Sequence, residues 1–146
     1  MFEIRECQPQ DLSALLHLYT QLHDSPEPSI SDRILSVWEH IMKDENHHII
    51  AGFVDGAMVS SCVINIIPNL THEQRPYAVI ENVITDQNER GRGYASAILN
   101  YAREIADREN CYKIMLMTGS SKDSTLRFYE KAGYNRQDKT AFVMWM

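Results

Sequence analysis

Apolar residues recur along this chain with two periods, and the changes of period mark the elements. Phe2 to Cys7 alternates apolar and charged residues, which predicts a first strand. Pro9 opens a helix with Asp11 near its first turn, and Leu12, Leu15, Leu16, Tyr19 and Leu22 keep a 3.6-residue period that predicts one buried face. Ser25-Pro26-Glu27-Pro28 breaks that helix. Ser31 or Asp32 is placed to cap a second one, whose apolar stripe is Ile34, Val37, Trp38, Ile41 and Met42. Two β-rich runs follow, His47 to Val54 and Met58 to Ile67, and the Asp55-Gly56 between them is a strong hairpin signal. After a polar loop, Pro68 to Pro76, a β-branched strand runs from Tyr77 to Thr85. A helical stripe of Ala95, Ile98, Leu99, Ala102, Ile105 and Ala106 comes next, ended by Asn110. Tyr112 to Thr118 lacks strict alternation and predicts a strand buried on both faces. Lys122 to Ala132 predicts a helix closed by Gly133, and Tyr134 to Arg136 with Thr140 to Trp145 predicts a closing strand pair.

This order predicts one mixed α/β domain over residues 1–146. Its strand–turn–helix–strand stretch, Ile80 to Met117, is a βαβ unit. Such a unit makes its two strands parallel and places ligands beyond their C-terminal ends.

The turn inside that unit, Glu89-Arg90-Gly91-Arg92-Gly93-Tyr94-Ala95, changes the picture from fold to chemistry. A glycine-rich turn leading into a helix gathers backbone N–H groups and adds the positive end of a helix dipole. Arg90 and Arg92 add two charges, so the turn is a candidate site for a phosphate-bearing ligand. Ala97 stands where the dinucleotide fingerprint wants a third glycine, and the Gly-Lys-Ser/Thr of a Walker loop is absent. The bland alternative is a helix start that uses glycine only for a tight turn.

Composition narrows the partners. With 146 residues, of which 44% are hydrophobic, the chain can bury a core as one domain. A net charge of −6 argues against nucleic acid, whose phosphates call for a basic face. Cys7, Cys62 and Cys111 are odd in number, show no CxxC pair and have no zinc spacing, so they read as reduced thiols of a cytoplasmic protein. The N-terminus lacks an apolar signal core, and no run approaches a membrane span. His17 and His23 do not lie one above the other on a helix, and adjacent His47 and His48 point to opposite faces of a strand, so neither pair predicts a metal site.

Glu81-Asn82 is the oddity of the fourth strand, a polar pair inside Val79-Ile80 and Val83-Ile84. A carboxylate in a central strand is costly unless paired or functional. Glu81 is therefore either an ion-paired or edge-facing side chain, or a general base whose pKa burial raises.

The block Arg90-Gly91-Arg92-Gly93-Tyr94-Ala95 and the later block Leu126-Arg127-Phe128-Tyr129-Glu130-Lys131-Ala132-Gly133-Tyr134 together resemble the GNAT superfamily of acyl-CoA N-acyltransferases. They stand in that family's order with one strand between them, and the element order fits nearly the whole chain. The stretches Asn110 to Ile114 and Phe128 to Lys131 look most like the glucosamine-phosphate N-acetyltransferase branch. The resemblance implies a mixed, mostly antiparallel sheet with the parallel βαβ unit at its centre and helices on its flanks. It implies acetyl-CoA as co-substrate, with its pyrophosphate on the N–H groups of Arg92 to Ala95 and the Arg90 and Arg92 side chains assisting. Val83 and Thr85 would pair with the pantetheine arm, and the Val83 N–H would polarise the thioester. Tyr129 would protonate the departing thiolate, and Glu81 would accept a proton from the amine. Lys122 stands where the family often has Asn, so a cofactor contact there is not carried over. A homodimer is implied by the family and by the apolar stretch Ala141 to Met146.

The residue types suit that chemistry. An ammonium must lose a proton before it attacks, a fixed N–H stabilises the resulting oxyanion, and neither a covalent intermediate nor a metal is required. For Tyr129 the other reading is a core tyrosine beside Phe128. A non-catalytic acyl-CoA-binding module is the competing class. The acceptor stays open among a small-molecule amine, an aminosugar phosphate, an aminoglycoside, a lysine and a peptide N-terminus. Loops Pro26 to Ser31 and Pro68 to Pro76 are expected to border its pocket, with Arg75 and Asn82 as candidate acceptor contacts.

Overall fold

The computed structural model describes all 146 residues. Five strands form a single sheet in chain order: β1 (Phe2–Glu6), β2 (His47–Val54), β3 (Ala57–Ile67), β4 (Tyr77–Thr85) and β5 (Ile114–Leu116). The first four pair antiparallel, and β4 pairs with β5 in parallel. Four helices complete the fold: α1 (Leu12–Tyr19), α2 (Asp32–Lys43), α3 (Tyr94–Arg108) and α4 (Asp123–Lys131). The unit β4–α3–β5 is the anticipated βαβ crossover, and the mixed, mostly antiparallel sheet is as anticipated.

Strand alternation sorts the core onto two faces. Ile50, Cys62, Ile64, Ala78 and Ile80 face α3 and pack on Ile98, Leu99, Ala102, Ile105 and Ala106. Ile49 and Val63 face the other way and pack on Leu12, Leu15 and Trp38. Each fully buried aliphatic side chain contributes about 1.5–3 kcal/mol relative to exposure, so the long α3 stripe is the main anchor of the sheet.

Local signals explain the element boundaries. Ser31 is the α2 cap, its Oγ accepting from the Ile34 N–H at 3.2 Å. Asp55 (φ +49°) and Gly56 (φ +85°) close the β2–β3 hairpin as a two-residue turn with both residues left-handed. Asn110 (φ +60°) ends the stretch after α3.

Three expectations are corrected. Helix α1 stops at Tyr19 rather than Leu22, because Gln21 turns away to bond the far end of β4: its Nε2 donates to Asp86 at 2.9 Å, and its Oε1 accepts from the Gln87 N–H at 2.9 Å. Strand β5 is three residues long and half-buried rather than buried on both faces. Residues 134–146 form no strand pair, and Phe142 and Trp145 are each 91% exposed. A strand exists only through its partner's ladder, and a two-stranded ribbon without a supporting face is marginal in water.

One ion pair fixes the entry to α1. Arg5 donates to both carboxylate oxygens of buried Asp11, at 2.6 and 3.1 Å, and the Gln8 N–H donates to Asp11 at 2.7 Å. The hydrogen bond from Arg5 holds the Asp11 carboxyl below its ordinary range.

Candidate active site

The glycine turn is built to leave donors free. A short 3-10 turn, Gln87–Glu89, is capped by Asp86, which accepts from the Asn88 N–H at 2.8 Å. Gly91 (φ +76°) and Gly93 (φ +82°) then reverse the backbone into α3. These angles favour glycine, and alternating hands of backbone make a concave row of N–H groups. The N–H groups of Arg90, Gly91, Arg92, Gly93, Tyr94, Ala95 and Ser96 donate to no protein atom, and the first helical bond to Gly93 comes from Ala97. A Cβ on Gly91 or Gly93 would meet nothing within 4 Å, so the space outside the turn is open. This donor row with a helix N-terminus behind it fits a pyrophosphate.

The arginines sit differently from one another. Arg90 Nε donates to the Thr85 carbonyl at 3.3 Å, tying the turn to the end of β4. Arg92 lies 3.3 Å from a buried carboxylate oxygen of Glu89, and its guanidinium stays at the turn. The Tyr94 ring stacks on Phe2 with centroids 4.3 Å apart, and Phe2 in turn covers Gly52.

Strand β4 is bent and half-unpaired where the chemistry was expected. Its ladder to β5 ends at Ile80 opposite Leu116, yet β4 continues to Thr85. Glu81 to Thr85 therefore has no strand on that side, and an extended ligand can take the place of one. On its other side the register slips. Glu81 pairs with Val63 and Ile84 with Ser61, so Asn82 and Val83 together oppose Cys62. This is a β-bulge, and Asn82 takes its left-handed position at φ +52°. The bulge explains the polar pair inside an apolar strand, because it aims Glu81 and Asn82 out of the sheet. Glu81 is exposed, so the burial expected of its carboxylate is not there. Val83 is half-buried against the α3-side core, and the Thr85 hydroxyl lies 2.8 Å from that of buried Ser60.

Glu81 and Asn82 line a cavity of about 400 Å³ between α1, α2 and the sheet. Its walls come from Leu15, Leu16 and Tyr19 of α1 and from Ile34, Val37 and Trp38 of α2. The indole N–H of Trp38 donates to the Pro9 carbonyl at 3.1 Å, which fixes that wall. The Tyr19 hydroxyl is buried and makes no hydrogen bond of ordinary geometry. Burial pushes its phenol up to about 12, opposed by the neighbouring Asn82 side chain. Neither anticipated loop lines this cavity. Arg75 instead donates to the carbonyls of Asn110 and Cys111, at 3.2 and 3.1 Å, and so anchors its loop past the end of α3. Tyr19, Trp38, Arg33, Asn65 and His47 belong to the cavity and were not anticipated. The α1 stripe that reads as core is also the cavity wall, and amphipathic periodicity cannot separate the two.

Tyr129 lies on the other side of the sheet. It packs edge-on against Phe128 at 5.1 Å and Tyr134 at 6.3 Å, beside the α3-side core. Half-burial pushes its phenol up, which keeps the proton on it at neutral pH. Its hydroxyl has no hydrogen-bond partner in the protein. Lys122 is the residue before α4 and gives no side-chain cap. Cys62, beneath the bulge, is buried, and burial pushes its thiol up to about 12, which argues against a nucleophile. No group of three or more His, Cys, Asp or Glu side chains is placed to hold a metal. No helix is long and apolar enough to cross a membrane.

Comparison with known proteins agrees with this geometry. Residues 12–134 match the model of the acetyltransferase (GNAT) family. A glucosamine 6-phosphate N-acetyltransferase of Trypanosoma brucei brucei is 29% identical over 140 residues, covering 94% of this chain and 91% of its own. Among solved structures, one described as a "putative acetyltransferase" from Agrobacterium tumefaciens superposes with a TM-score of 0.92 at 36% identity, covering 99% of both chains. Another, described as a transcriptional regulator from Bacillus halodurans, superposes with a TM-score of 0.88 at 25% identity, covering 99% of this chain and 100% of its own. With its donor row, its splayed β4 end and a family match over most of its length, the chain belongs to the GNAT family and is an acetyl-CoA-dependent N-acetyltransferase.

Proposed function

We propose that the protein transfers the acetyl group of acetyl-CoA to a primary amine of a small molecule by direct attack. The observation that carries this reading is the row of unpartnered N–H groups from Arg90 to Ser96 beside the strandless edge of β4 from Glu81 to Thr85. The pyrophosphate takes the row, with Arg92 assisting and Arg90 bracing the turn through Thr85. The pantetheine arm takes the β4 edge at Val83 and Thr85, and the Val83 N–H polarises the thioester. The amine enters from the α1–α2 cavity at Glu81 and Asn82. Glu81, directly or through water, takes the ammonium proton. The nitrogen attacks the carbonyl carbon, the C–S bond breaks, the thiolate takes a proton from Tyr129, and the second proton shed by the acylated nitrogen restores the Tyr129 phenol through solvent. General-base help of this kind contributes about 10²–10⁴-fold.

Glu81 and Tyr129 lie on opposite faces of the sheet. This separation supports two distinct proton tasks, one on the acceptor side and one on the donor side. Three free thiols fit a reducing, cytoplasmic setting. The exposed apolar residues Phe142 to Met146 support a homodimer closed through that segment, and sedimentation of the protein truncated after Lys139 tests it: a monomer at all concentrations before truncation would end the idea.

The test of the main reading is calorimetric titration of acetyl-CoA, followed by thiol release with a panel of amines. Micromolar binding with turnover is expected. Binding without turnover of any amine would leave only an acyl-CoA-binding module, and no binding would remove the turn as the donor site.

A further inference from the structure

We infer that the acceptor is a primary amine carried on a compact apolar body, of the arylalkylamine or branched alkylamine kind, and not a phosphorylated or polyhydroxylated aminosugar. The inference rests on the acetyl-transfer reading above and concerns only the cavity on the acceptor side.

Three features of that cavity lead to it. The first is chemistry of the lining. Ten of its fifteen lining residues are hydrophobic, and the deep wall is Leu15 and Trp38 over Ile49 and Val63. A sugar seated there would press its hydroxyls against side chains that offer no partner, and each unpaired hydroxyl costs binding. An aromatic or branched alkyl body loses nothing on the same wall and gains from leaving water.

The second is charge. Recognition of a phosphate calls for clustered cations or a row of free N–H groups. The lining holds one arginine, Arg33, which is exposed at the α2 rim, and one histidine, His47, which desolvation pushes toward its neutral form. The chain's conspicuous row of free N–H groups lies instead at the glycine turn. Arg75, the cation among the candidate acceptor contacts, is committed to the Asn110 and Cys111 carbonyls. The one acidic side chain in the lining is Glu81, which complements a single ammonium.

The third is where the polar atoms lie. Glu81 and Asn82 stand together at the β4 bulge, and the buried, unpartnered Tyr19 hydroxyl is beside Asn82. An ammonium directed there finds a carboxylate and a hydroxyl acceptor, while the carbon body trails into the apolar part. A volume of about 400 Å³ sits at the small end of ligand pockets and admits a single aromatic ring with a short chain.

The test uses thiol release at saturating acetyl-CoA, comparing 2-phenylethylamine, glucosamine 6-phosphate and kanamycin as acceptors. The expected result is a kcat/KM for 2-phenylethylamine at least tenfold above either of the others. Val37→Asn puts a neutral amide on a half-exposed apolar rim position, so the fold should tolerate it. It should raise KM for 2-phenylethylamine by about tenfold or more, with the acetyl-CoA Kd unchanged by calorimetry. Equal or better use of glucosamine 6-phosphate or kanamycin overturns the inference, as does a Val37→Asn variant with unaltered KM. Acetyl-CoA binding without turnover of 2-phenylethylamine also overturns it, while leaving the donor site in place. Absence of acetyl-CoA binding overturns the acetyl-transfer reading itself.

Discussion

The two halves of the candidate site are made of different materials. The proposed donor half is backbone: the N–H groups of Arg90 to Ser96 are consecutive in the chain, and the strandless edge of β4 precedes them by a few residues. The acceptor half is side chains, drawn from α1, α2, β2, β3 and β4, with Leu12 and Asn82 at the extremes of the chain that supplies it. A backbone site tolerates change in side chains so long as its dihedral angles survive. A side-chain site changes its ligand with almost any substitution. One half can thus stay constant across a family while the other sets what each member acetylates, and the fold alone names only the donor.

The sharpest way to break this contrast is at Gly93. Its φ of +82° disfavours any side chain, and a carboxylate there would face the phosphates. Gly93→Glu should weaken acetyl-CoA binding by more than about 100-fold, since it removes several charge-assisted hydrogen bonds worth ~1.5–3 kcal/mol each. Calorimetry reads the loss, and circular dichroism should be unchanged; retained micromolar binding would mean the donor half is not this turn.

Next come the two proposed proton positions, one on each face. Tyr129→Phe and Glu81→Gln should each lower kcat by about 100-fold, within the span of general acid–base catalysis, and leave the acetyl-CoA Kd unaltered. The two losses should separate by pH: added hydroxide replaces a missing base, so the Glu81→Gln deficit shrinks as pH rises while the Tyr129→Phe deficit does not. A changed Kd with unchanged kcat would make either residue a binding group instead.

A smaller effect tests whether the donor half leans on the sheet. A Cβ on Gly52 would lie 2.5 Å from the Phe2 ring, which itself stacks on Tyr94 at the start of α3. Gly52→Ala should cost about 1–3 kcal/mol of stability, as overpacking does, read by denaturant titration. If Phe2 yields without strain, the midpoint will not move.

The smallest is electrostatic. Asp11 is held below its ordinary range by Arg5, so its folded pKa lies under its unfolded one. The stabilisation is fully present above the unfolded carboxylate value, roughly pH 4, and fades as pH falls through the lower folded value. Asp11→Asn should cost about 1–2 kcal/mol at neutral pH, since half-exposed Arg5 weakens the pair, and the gap to the unsubstituted protein should close in acid. A gap independent of pH would assign the effect to packing.

Legibility in the sequence followed the same divide. The glycine turn, the Asp55-Gly56 hairpin, the Ser31 cap and the α3 stripe all depend on residues within a few positions of each other, and all are read from spacing. Glu81-Asn82 is visible as an anomaly, but its cause, the bulge against Cys62, is a property of two strands. The segment Thr140 to Trp145 has a strand's composition and no ladder to join, so composition misleads there. Arg75 looks free in a polar loop because nothing local reveals that the carbonyls it bonds lie more than thirty positions away.

What the sequence by itself determined is most of the elements, the glycine turn and the family, because helix periods, caps and left-handed glycines are encoded over a few residues. What only the tertiary structure decided is the acceptor cavity, the exposure of Glu81 and the unpartnered hydroxyl of Tyr19. Those arise where α1 and α2 meet the sheet, and an apolar stripe reads the same in one dimension whether it closes on a core or stops short and leaves a pocket.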